Sequence, residues 1–205
     1  RPFYYSFKNF FNWQVHILKH KNKSIPVYSE IKTQGIKLHI GAGEINLQGW
    51  INLDARKYDH THLVSENIQL NEFTDGKIEE IYLCHVLEHF SFEEVDKLLE
   101  IFFKKLKKGG VLRLAVPCFD SILKVYEDNQ NDIEKIKYIL MGGQDYQYNF
   151  HKSVYNFNHI KSMLAKHKYK NIEKWNTKID FGQEIGDWSS AKFKTQSSFV
   201  SISLN

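Results

Sequence analysis

The sequence predicts an α/β domain with a doubly wound, mostly parallel sheet and helices on both faces. Two observations carry this prediction. Short apolar runs alternate with amphipathic helical segments from Ile36 onward, and the run Val111–Val116 is apolar at all positions but one, as a strand covered on both faces must be. A chain of 205 residues can bury one sizeable core. We therefore expect one domain over residues 35–205, preceded by a separate segment at 1–34.

The strands of this domain are predicted from apolar runs bounded by turn residues. They lie at Ile36–Ile40, Ile51–Asp54, near Leu63–Ser65, at Glu80–Cys84, Val111–Val116, Asn171–Trp175 and Ser198–Leu204. Pro117 closes the central strand, because proline cannot donate to a sheet ladder. We expect the C-terminal strand to run antiparallel to the others.

The helices are predicted from capping signals and apolar spacing. Ser91 and Glu94 form a capping box that begins a helix, and Lys107-Lys108-Gly109-Gly110 is the sequence expected at its end. Its predicted buried stripe is Phe92, Val95, Leu99, Phe102 and Leu106. Further helices are expected at Ser121–Glu127, Asp132–Met141 and Asn158–Lys168, with Gly142-Gly143 breaking the pattern between the last two.

Residues 1–34 form an aromatic and basic segment. Phe7, Phe10, Phe11 and Ile17 recur at nearly helical spacing, which predicts a helix packed on the main domain. A structural cap and a lid over a substrate pocket are equally compatible with this pattern, and an aromatic surface also suits a subunit interface. The sequence begins at Arg1 without Met or a signal-peptide pattern, so we expect it to be a trimmed fragment.

Composition excludes several classes of protein. The net charge of +4 is too weak and too dispersed for a nucleic-acid binder, although it permits an anionic substrate. No run of 18 apolar residues is present, so no membrane span is expected. The two cysteines, Cys84 and Cys118, form neither a disulfide framework nor a CxxC zinc pair. We expect a protein of the reducing cytoplasm.

A glycine pair follows the first strand, and an acidic residue ends the second. Gly41 and Gly43 remove side chains where a backbone must approach a ligand closely. A dinucleotide fingerprint would have a third glycine where Asn46 stands, and its acidic residue about 20 positions on. Asp54 comes only eleven positions after Gly43. This spacing disfavours NAD and FAD.

Together with later segments, these residues resemble the class I S-adenosylmethionine-dependent methyltransferases, which have a Rossmann-like sheet. The resemblance covers roughly Ile36 to Trp175 and is closest to small bacterial members that act in cell-surface sugar and capsule polysaccharide biosynthesis. The segments that carry it, in order, are Gly41-Ala42-Gly43, Gly49–Asp54, Ile81–Phe90, Leu106–Leu112 and Val116-Pro117. Their succession is far more specific than any one of them.

The resemblance implies a set of cofactor-binding residues. Gly41, Ala42 and Gly43 would lie against the methionine and ribose parts of S-adenosylmethionine, and Asp54 would accept hydrogen bonds from both ribose hydroxyls. The segment Glu66-Asn67-Ile68 would bracket the adenine, and Cys84 with His85 would lie near the transferred methyl group. Where the family usually has an acidic residue before the first glycine, this chain has His39-Ile40, and Glu44 is the candidate replacement for the contact to the cofactor's amino group.

The segment His85-Val86-Leu87-Glu88-His89 also matches H-x-x-E-H, the inverted zinc-protease motif. That motif needs both histidines on one face of a long helix. Here a strand precedes His85 and a new helix begins after Ser91, so we expect a loop or short turn. His60 and His62 lie nearby in sequence but have no convincing acidic partner. We therefore predict no metal ligands, and a zinc hydrolase is a minor alternative.

The acceptor is expected beyond the carboxyl ends of the strands, at residues after the fourth and fifth strands and in the loop that begins at Gly142. Candidate substrate-binding residues in this loop are Gln144, Tyr146, Tyr148, His151 and Lys152. A histidine can remove a hydroxyl proton near neutral pH. We predict His151 as this base and His85 as the second choice, while bracing of the following helix is an equally good reading of His151.

The sequence thus predicts transfer of a methyl group from S-adenosylmethionine, giving S-adenosylhomocysteine, to an oxygen of a small polar acceptor. A sugar, nucleotide-sugar or phosphorylated metabolite is expected, and Lys152 and Lys161 would suit an anionic one. A methyltransferase-like binding module without chemistry is the alternative from a different class. Pro117-Cys118 resembles the proline-cysteine nucleophile of cytosine-C5 methyltransferases but follows the wrong strand, so a small buried thiol is the better account of Cys118.

Overall fold

A computed structural model describes residues 35–175, 181, 185–190 and 201–204 of the chain. Its centre is a six-stranded sheet. The strands are β1 (Ile36–Ile40), β2 (Ile51–Asp54), β3 (Leu63–Val64), β4 (Ile78–Cys84), β5 (Leu106–Pro117) and β6 (Ser201–Leu204). Their spatial order is β3-β2-β1-β4-β5-β6, in which the first five run parallel and β6 pairs antiparallel with β5. The order reverses at β1, so this strand adjoins both β2 and β4.

The described residues include four α-helices. They are α1 (Phe92–Lys105), α2 (Phe119–Asp128), α3 (Lys137–Met141) and α4 (Phe157–Lys166), with 3₁₀ turns at Leu87–His89, Ile133–Lys135 and Trp188–Ser190. The predicted helix Asp132–Met141 is therefore divided into a 3₁₀ turn and the short helix α3. Gly142 ends α3 with a φ of 79°, a conformation that glycine adopts without strain.

The core lies between the central strands and helices α1 and α4. Leu38, Ile81, Leu114, Val95 and Phe102 are all completely buried within it. Strands β1, β4 and β5 alternate little between buried and exposed positions near their carboxyl ends, as expected for parallel strands covered on both faces. This packing fixes the ends of the strands, which carry the candidate site.

The end of α1 differs from the prediction. The helix stops at Lys105, and the predicted terminator 107–110 lies within β5, where Gly109 has a φ of 75°. The pairing of β4 with β5 changes register between Ile78 and Glu80, which accommodates the extra residues as a bulge. Phe92 was predicted to be buried but is 49% exposed. As the first residue of α1 it lies at the edge of the core, where its ring contacts those of Tyr155 and His159.

The predicted strand Asn171–Trp175 is wrong. The described part of the chain has only an isolated bridge residue there, Lys174, and no regular strand. Trp175 contacts the sheet through its side chain. Its indole Nε1 donates to the Leu114 carbonyl oxygen at 3.0 Å, and its ring packs edge-on against Tyr82. The predicted N-terminal helix within residues 1–34 lies outside the described residues. No described helix is both long and apolar enough to span a membrane.

The capping box of α1 gives the first testable prediction. Ser91 N donates to Glu94 Oε2 at 2.7 Å, and Glu94 N donates to Ser91 Oγ at 3.3 Å. Ser91→Ala should lower the free energy of unfolding by about 1 kcal/mol, because one amide of the first turn loses its acceptor. Urea denaturation measures this change. The control is Ser121→Ala inside α2. An equal loss in both variants would show that the Ser91 cap makes no specific contribution to stability.

Candidate active site

A cleft of about 910 Å³ lies where the carboxyl ends of four parallel strands meet. The last residues of these strands, Ile40, Asp54, Cys84 and Pro117, all line it. In open parallel sheets, ligands bind outside these ends, at the point where the strand order reverses. The volume lies in the range of ligand pockets. The loop after α3 forms the opposite wall.

The glycine loop forms one side of the cleft. Gly41 has a φ of 67°, and a Cβ built on it would lie 2.2 Å from Val86 Cγ2, so only glycine fits between the loop and the turn after β4. Gly43 has a φ of 52°, but no described atom lies within 4 Å of its built Cβ. Gly41 is thus required by packing, whereas the bare backbone of Gly43 borders open space in the cleft.

Asp54 holds the glycine loop in place. Its Oδ2 accepts a hydrogen bond from Gly43 N at 2.7 Å, and its Oδ1 accepts one from Arg56 N at 2.8 Å. The carboxylate is 7% exposed. No other hydrogen bond to this carboxylate is found within the described residues. Because a carboxylate has about four acceptor positions, one on each oxygen remains for a ligand.

Two histidines that the sequence left unassigned hydrogen-bond to the backbone of the glycine loop and of β2. His60 Nε2 lies 3.0 Å from the Gly43 carbonyl oxygen, which can only accept, so the ring donates. His62 Nδ1 accepts from Asn52 N at 3.0 Å. Burial lowers the pKa of His60 and favours the neutral ring. The His60 ring therefore holds the connection between β1 and β2, and the His62 ring contacts strand β2 itself.

His39 lies at the inner end of the cleft and is 2% exposed. Its Nδ1 lies 3.1 Å from Asn52 Oδ1, and its ring stacks on Tyr82 with centroids 5.3 Å apart. The Tyr82 hydroxyl donates to Asp187, which also lines the cleft. Burial raises the pKa of Tyr82 and that of the Cys84 thiol, so both stay protonated at neutral pH. Asp187 is an acidic cleft residue that the sequence analysis missed.

The outer end of the cleft is formed by the segment after β3 and the loop after α3. Glu66 and Asn67 are exposed, whereas Ile68 is buried. The Arg56 guanidinium lies 4.5 Å from the centre of the Tyr146 ring, and a hydrogen bond to Glu66 raises the pKa of Tyr148. Tyr148, predicted to contact the substrate, therefore lies beside the predicted adenine segment, whereas Tyr146 lies against Arg56, two residues after Asp54.

The turn after β4 carries a buried carboxylate. His85 has a φ of 54°, which is uncommon for a residue with a side chain, and Glu88 is only 1% exposed. His85 Nδ1 lies 3.1 Å from Glu88 Oε1. Burial acts to raise the pKa of Glu88, but the neighbouring His85 and His89 rings outweigh it and the pKa is lowered. Residues Leu87–His89 form a single 3₁₀ turn, which confirms that the zinc-protease context of a long helix is absent here.

The segment from Phe150 to Ser153 is hydrogen-bonded to this turn. Lys152 N and Ser153 N both donate to the Glu88 carbonyl oxygen, at 2.7 and 3.2 Å, and Ser153 Oγ donates to the Phe90 carbonyl oxygen at 3.0 Å. His89 Nδ1 donates to the Phe150 carbonyl oxygen at 3.2 Å. These bonds bring His151 to the turn, where its ring centroid lies 5.0 Å from that of His89. Burial lowers the pKa of His151, which Glu88 opposes.

The cleft brings together most of the residues that the sequence singled out. The predicted cofactor-binding residues that line it are His39, Gly41, Ala42, Gly43, Glu44, Asp54, Glu66, Asn67, Ile68, Cys84 and His85, and the predicted substrate-binding residues are Tyr146, Tyr148, His151 and Lys152. Gln144 does not line it; its backbone N–H donates to the Asn149 carbonyl oxygen within the loop. Arg56, Asp187 and His89 line the cleft without having been predicted.

No protein-family model matches the sequence, and no curated protein matches it significantly. A solved structure of an S-adenosylmethionine-dependent methyltransferase from Thermotoga maritima aligns with a TM-score of 0.50 at 12% identity, covering 97% of this chain and 95% of that chain. A second such methyltransferase, from Archaeoglobus fulgidus, aligns at 15% identity with a TM-score of 0.49, over 96% of this chain and 86% of that one. The chain has the Rossmann-like fold of methyltransferases. The predicted fold class is confirmed.

His39 gives a prediction on pH. Burial lowers its pKa to about 4, against the opposing effects of Asp187 and Asn52. The unfolded chain protonates this histidine near pH ~6.5, so acidification from about 6.5 to 4 stabilises the unfolded state selectively. The free energy of unfolding should therefore fall over this window, by up to about 3 kcal/mol from this residue.

Urea titrations at several pH values measure this fall. His39→Gln should show a shallower loss of stability between pH 6.5 and 4 than the parent chain. If the two pH profiles run parallel, His39 does not contribute to the acid sensitivity.

Proposed function

We propose that this protein is an S-adenosylmethionine-dependent methyltransferase that methylates an oxygen of a small polar acceptor. The observation that carries the proposal is the geometry of Gly43 and Asp54 at the point where the strand order reverses. A bare backbone borders the cleft there, beside a carboxylate with one free acceptor position on each oxygen. A ribose presents two neighbouring hydroxyls, which match this pair of positions.

The rest of the cofactor follows from the position of the ribose. The methionine end would extend along Gly41 toward Cys84 and His85, and the adenine toward Glu66, Asn67 and Ile68. The family usually has an acidic residue near the position of His39, which binds the amino group of the methionine part. In this chain another acidic residue must bind that amino group. Glu44 and Asp187 both line the cleft, and Asp187 lies close enough to His39 to act on its pKa.

The acceptor would occupy the part of the cleft beside His85, His151 and Lys152. In the reaction the acceptor hydroxyl gives its proton to a base, and its oxygen attacks the methyl carbon. The carbon–sulfur bond breaks, and its electron pair stays on sulfur, which yields a methyl ether and neutral S-adenosylhomocysteine. Such a displacement depends mainly on alignment, which a rigid cleft supplies.

Two histidines are candidates for the base. His151 is half-buried, with a lowered pKa that keeps it neutral and able to accept a proton. His85, in contrast to His151, forms a described ion pair with a carboxylate, because its Nδ1 lies 3.1 Å from Glu88 Oε1. A carboxylate at this distance orients an imidazole and stabilises its charged form.

For the acceptor we propose a sugar, a nucleotide-sugar or a phosphorylated metabolite of bacterial surface-glycan synthesis. The resemblance of the sequence to small bacterial methyltransferases supports this class, and Lys152 places a cation at the rim of the cleft. Lys152 is 54% exposed and lies 3.9 Å from Glu94, so it is free to turn toward an anionic group. Incubation with labelled S-adenosylmethionine and a panel of these compounds tests the class directly.

The cofactor proposal predicts a difference between two glycine variants. Gly43 and Gly49 have φ values of 52° and 79°, and no described atom crowds a Cβ at either position, but only Gly43 lines the cleft. Both Gly→Ala variants should lose a similar 1–2 kcal/mol of stability, roughly the strain of a left-handed alanine. Only Gly43→Ala should also weaken S-adenosylmethionine binding, by roughly tenfold or more.

Calorimetric titration with S-adenosylmethionine measures both affinities. Gly49→Ala is the matched control for backbone strain. The absence of binding to the parent chain would overturn the methyltransferase proposal and favour a binding module without this cofactor.

The base proposal predicts separate effects on turnover and binding. His151→Ala should lower kcat at least about 100-fold, the usual contribution of a positioned base, while the Kd for S-adenosylmethionine stays nearly unchanged. His159→Ala, on α4 outside the cleft, is the control and should leave both values unaltered. Undiminished turnover in His151→Ala together with a loss in His85→Ala would transfer the role to His85.

A further inference from the structure

Glu88, His89 and His151 bring three metal-ligating side chains to one place. One ligand atom from each residue lies within 4.8 Å of the other two. A tetrahedral ion held at about 2.1 Å needs ligand atoms roughly 3.4 Å apart, which small rotations of these side chains can reach. The three residues come from two segments far apart in sequence, joined by the hydrogen bonds between Phe150–Ser153 and the turn Leu87–His89.

Glu88 supplies the first independent sign of a ligand. Its carboxylate is 1% exposed, yet neither oxygen accepts a hydrogen bond of normal geometry from any described residue. Burying a charged group costs several kcal/mol unless it is paired or coordinated. The His85 ring, 3.1 Å from Oε1, is its one close charge partner among the ion pairs described. A dication beside the carboxylate would satisfy it.

His89 supplies the second sign. Its Nδ1 lies 3.2 Å from the Phe150 carbonyl oxygen, which can only accept, so Nδ1 carries the hydrogen. In the neutral ring Nε2 then has the free lone pair. Metal-binding histidines usually have this arrangement, in which one ring nitrogen donates to a carbonyl and the other binds the ion. His85 holds the Glu88 carboxylate in a similar way, because its Nδ1 lies 3.1 Å from Glu88 Oε1.

We propose that Glu88, His89 and His151 form a binding site for a transition-metal dication of the Zn²⁺, Mn²⁺ or Co²⁺ type. One carboxylate and two imidazoles suit these ions better than Mg²⁺ or Ca²⁺, which prefer oxygen ligands throughout. The site differs from a zinc protease, since its third ligand comes from the loop after α3 and not from the H-x-x-E-H segment.

The position of the site suggests its use. His89 and His151 line the cleft, whereas Glu88 lies behind them, so the remaining coordination positions would face the acceptor end. An acceptor hydroxyl bound there would lose its proton more readily. A bound metal would engage His151 as a ligand, and of the two candidate bases named above it would leave His85 to take that proton. This role rests on the proposed methyl transfer, whereas the metal binding does not.

Calorimetry on the whole chain tests the site. Chain stripped with EDTA is titrated with ZnCl₂ and, separately, with MgCl₂, and visible absorption follows the binding of CoCl₂. We expect one tight Zn²⁺ per chain, much weaker Mg²⁺ and a Co²⁺ spectrum typical of nitrogen and oxygen ligands. Glu88→Gln and His89→Gln should each weaken Zn²⁺ binding at least about 100-fold.

His167→Gln is the matched control, because His167 also pairs with a carboxylate, Asp96, at 2.8 Å, but away from the cleft. It should bind Zn²⁺ as the parent chain does. Equal Zn²⁺ affinity in the parent, Glu88→Gln and His89→Gln would overturn the proposal, as would no binding to the parent.

A second measurement needs no variant. Zn²⁺ should protect His89 and His151 of the parent chain, but not His167, from modification by diethylpyrocarbonate, as read by mass spectrometry. Equal modification of all three with and without Zn²⁺ would also overturn the site. Titration of the same samples with S-adenosylmethionine separates the two proposals. Binding of S-adenosylmethionine without binding of Zn²⁺ would overturn only the metal-site proposal. Binding of Zn²⁺ without binding of S-adenosylmethionine would overturn only the methyltransferase proposal.

Discussion

The parallel pairing of β1 with β2 on one side and β4 on the other is the constraint on which the candidate site depends. Because the three strands run in one direction, their carboxyl ends share an edge, and the chain segments that follow them must meet there. Gly41, Asp54 and His85 therefore all line one cleft, although His85 comes 31 positions after Asp54 in the sequence. The buried strands make this arrangement rigid, so that the loops above carry groups in fixed positions.

The connection between β1 and β2 shows how polar groups secure a loop that has no helix of its own. Asp54 accepts from Gly43 N, and His60 donates to the Gly43 carbonyl oxygen, so both backbone groups of this glycine are held. A loop held in this way loses little further conformational freedom when a ligand binds. The carboxylate of Asp54 has a double use, because the oxygens that fix the loop also keep acceptor positions toward the cleft.

The opposite wall is built by a different interaction, in which the Glu88 carbonyl oxygen accepts from Lys152 N and Ser153 N. This backbone contact, together with the bond from His89 to Phe150, determines where His151 lies. The same contact brings His151 close to the buried Glu88 carboxylate, which also lies 3.1 Å from His85 Nδ1. The methyl-transfer and metal proposals thus concern adjoining parts of one cleft, and both depend on the turn after β4 keeping its shape.

The sequence by itself determined most strands of the sheet and the capped start of α1, because these depend on local patterns of apolar spacing and capping. It also indicated many of the residues that line the cleft, but it missed Arg56, His89 and Asp187. The predicted strand Asn171–Trp175 was wrong, because the buried side chain in this range is a single indole ring. The predicted helix end at 107–110 was also wrong, because these residues belong to β5, whose pairing with β4 contains a bulge. Neither the bracing by His60 nor the approach of His151 to Glu88 has a local signal. Only the tertiary structure decided these contacts, because they join segments whose distance in space depends on how the whole sheet is ordered.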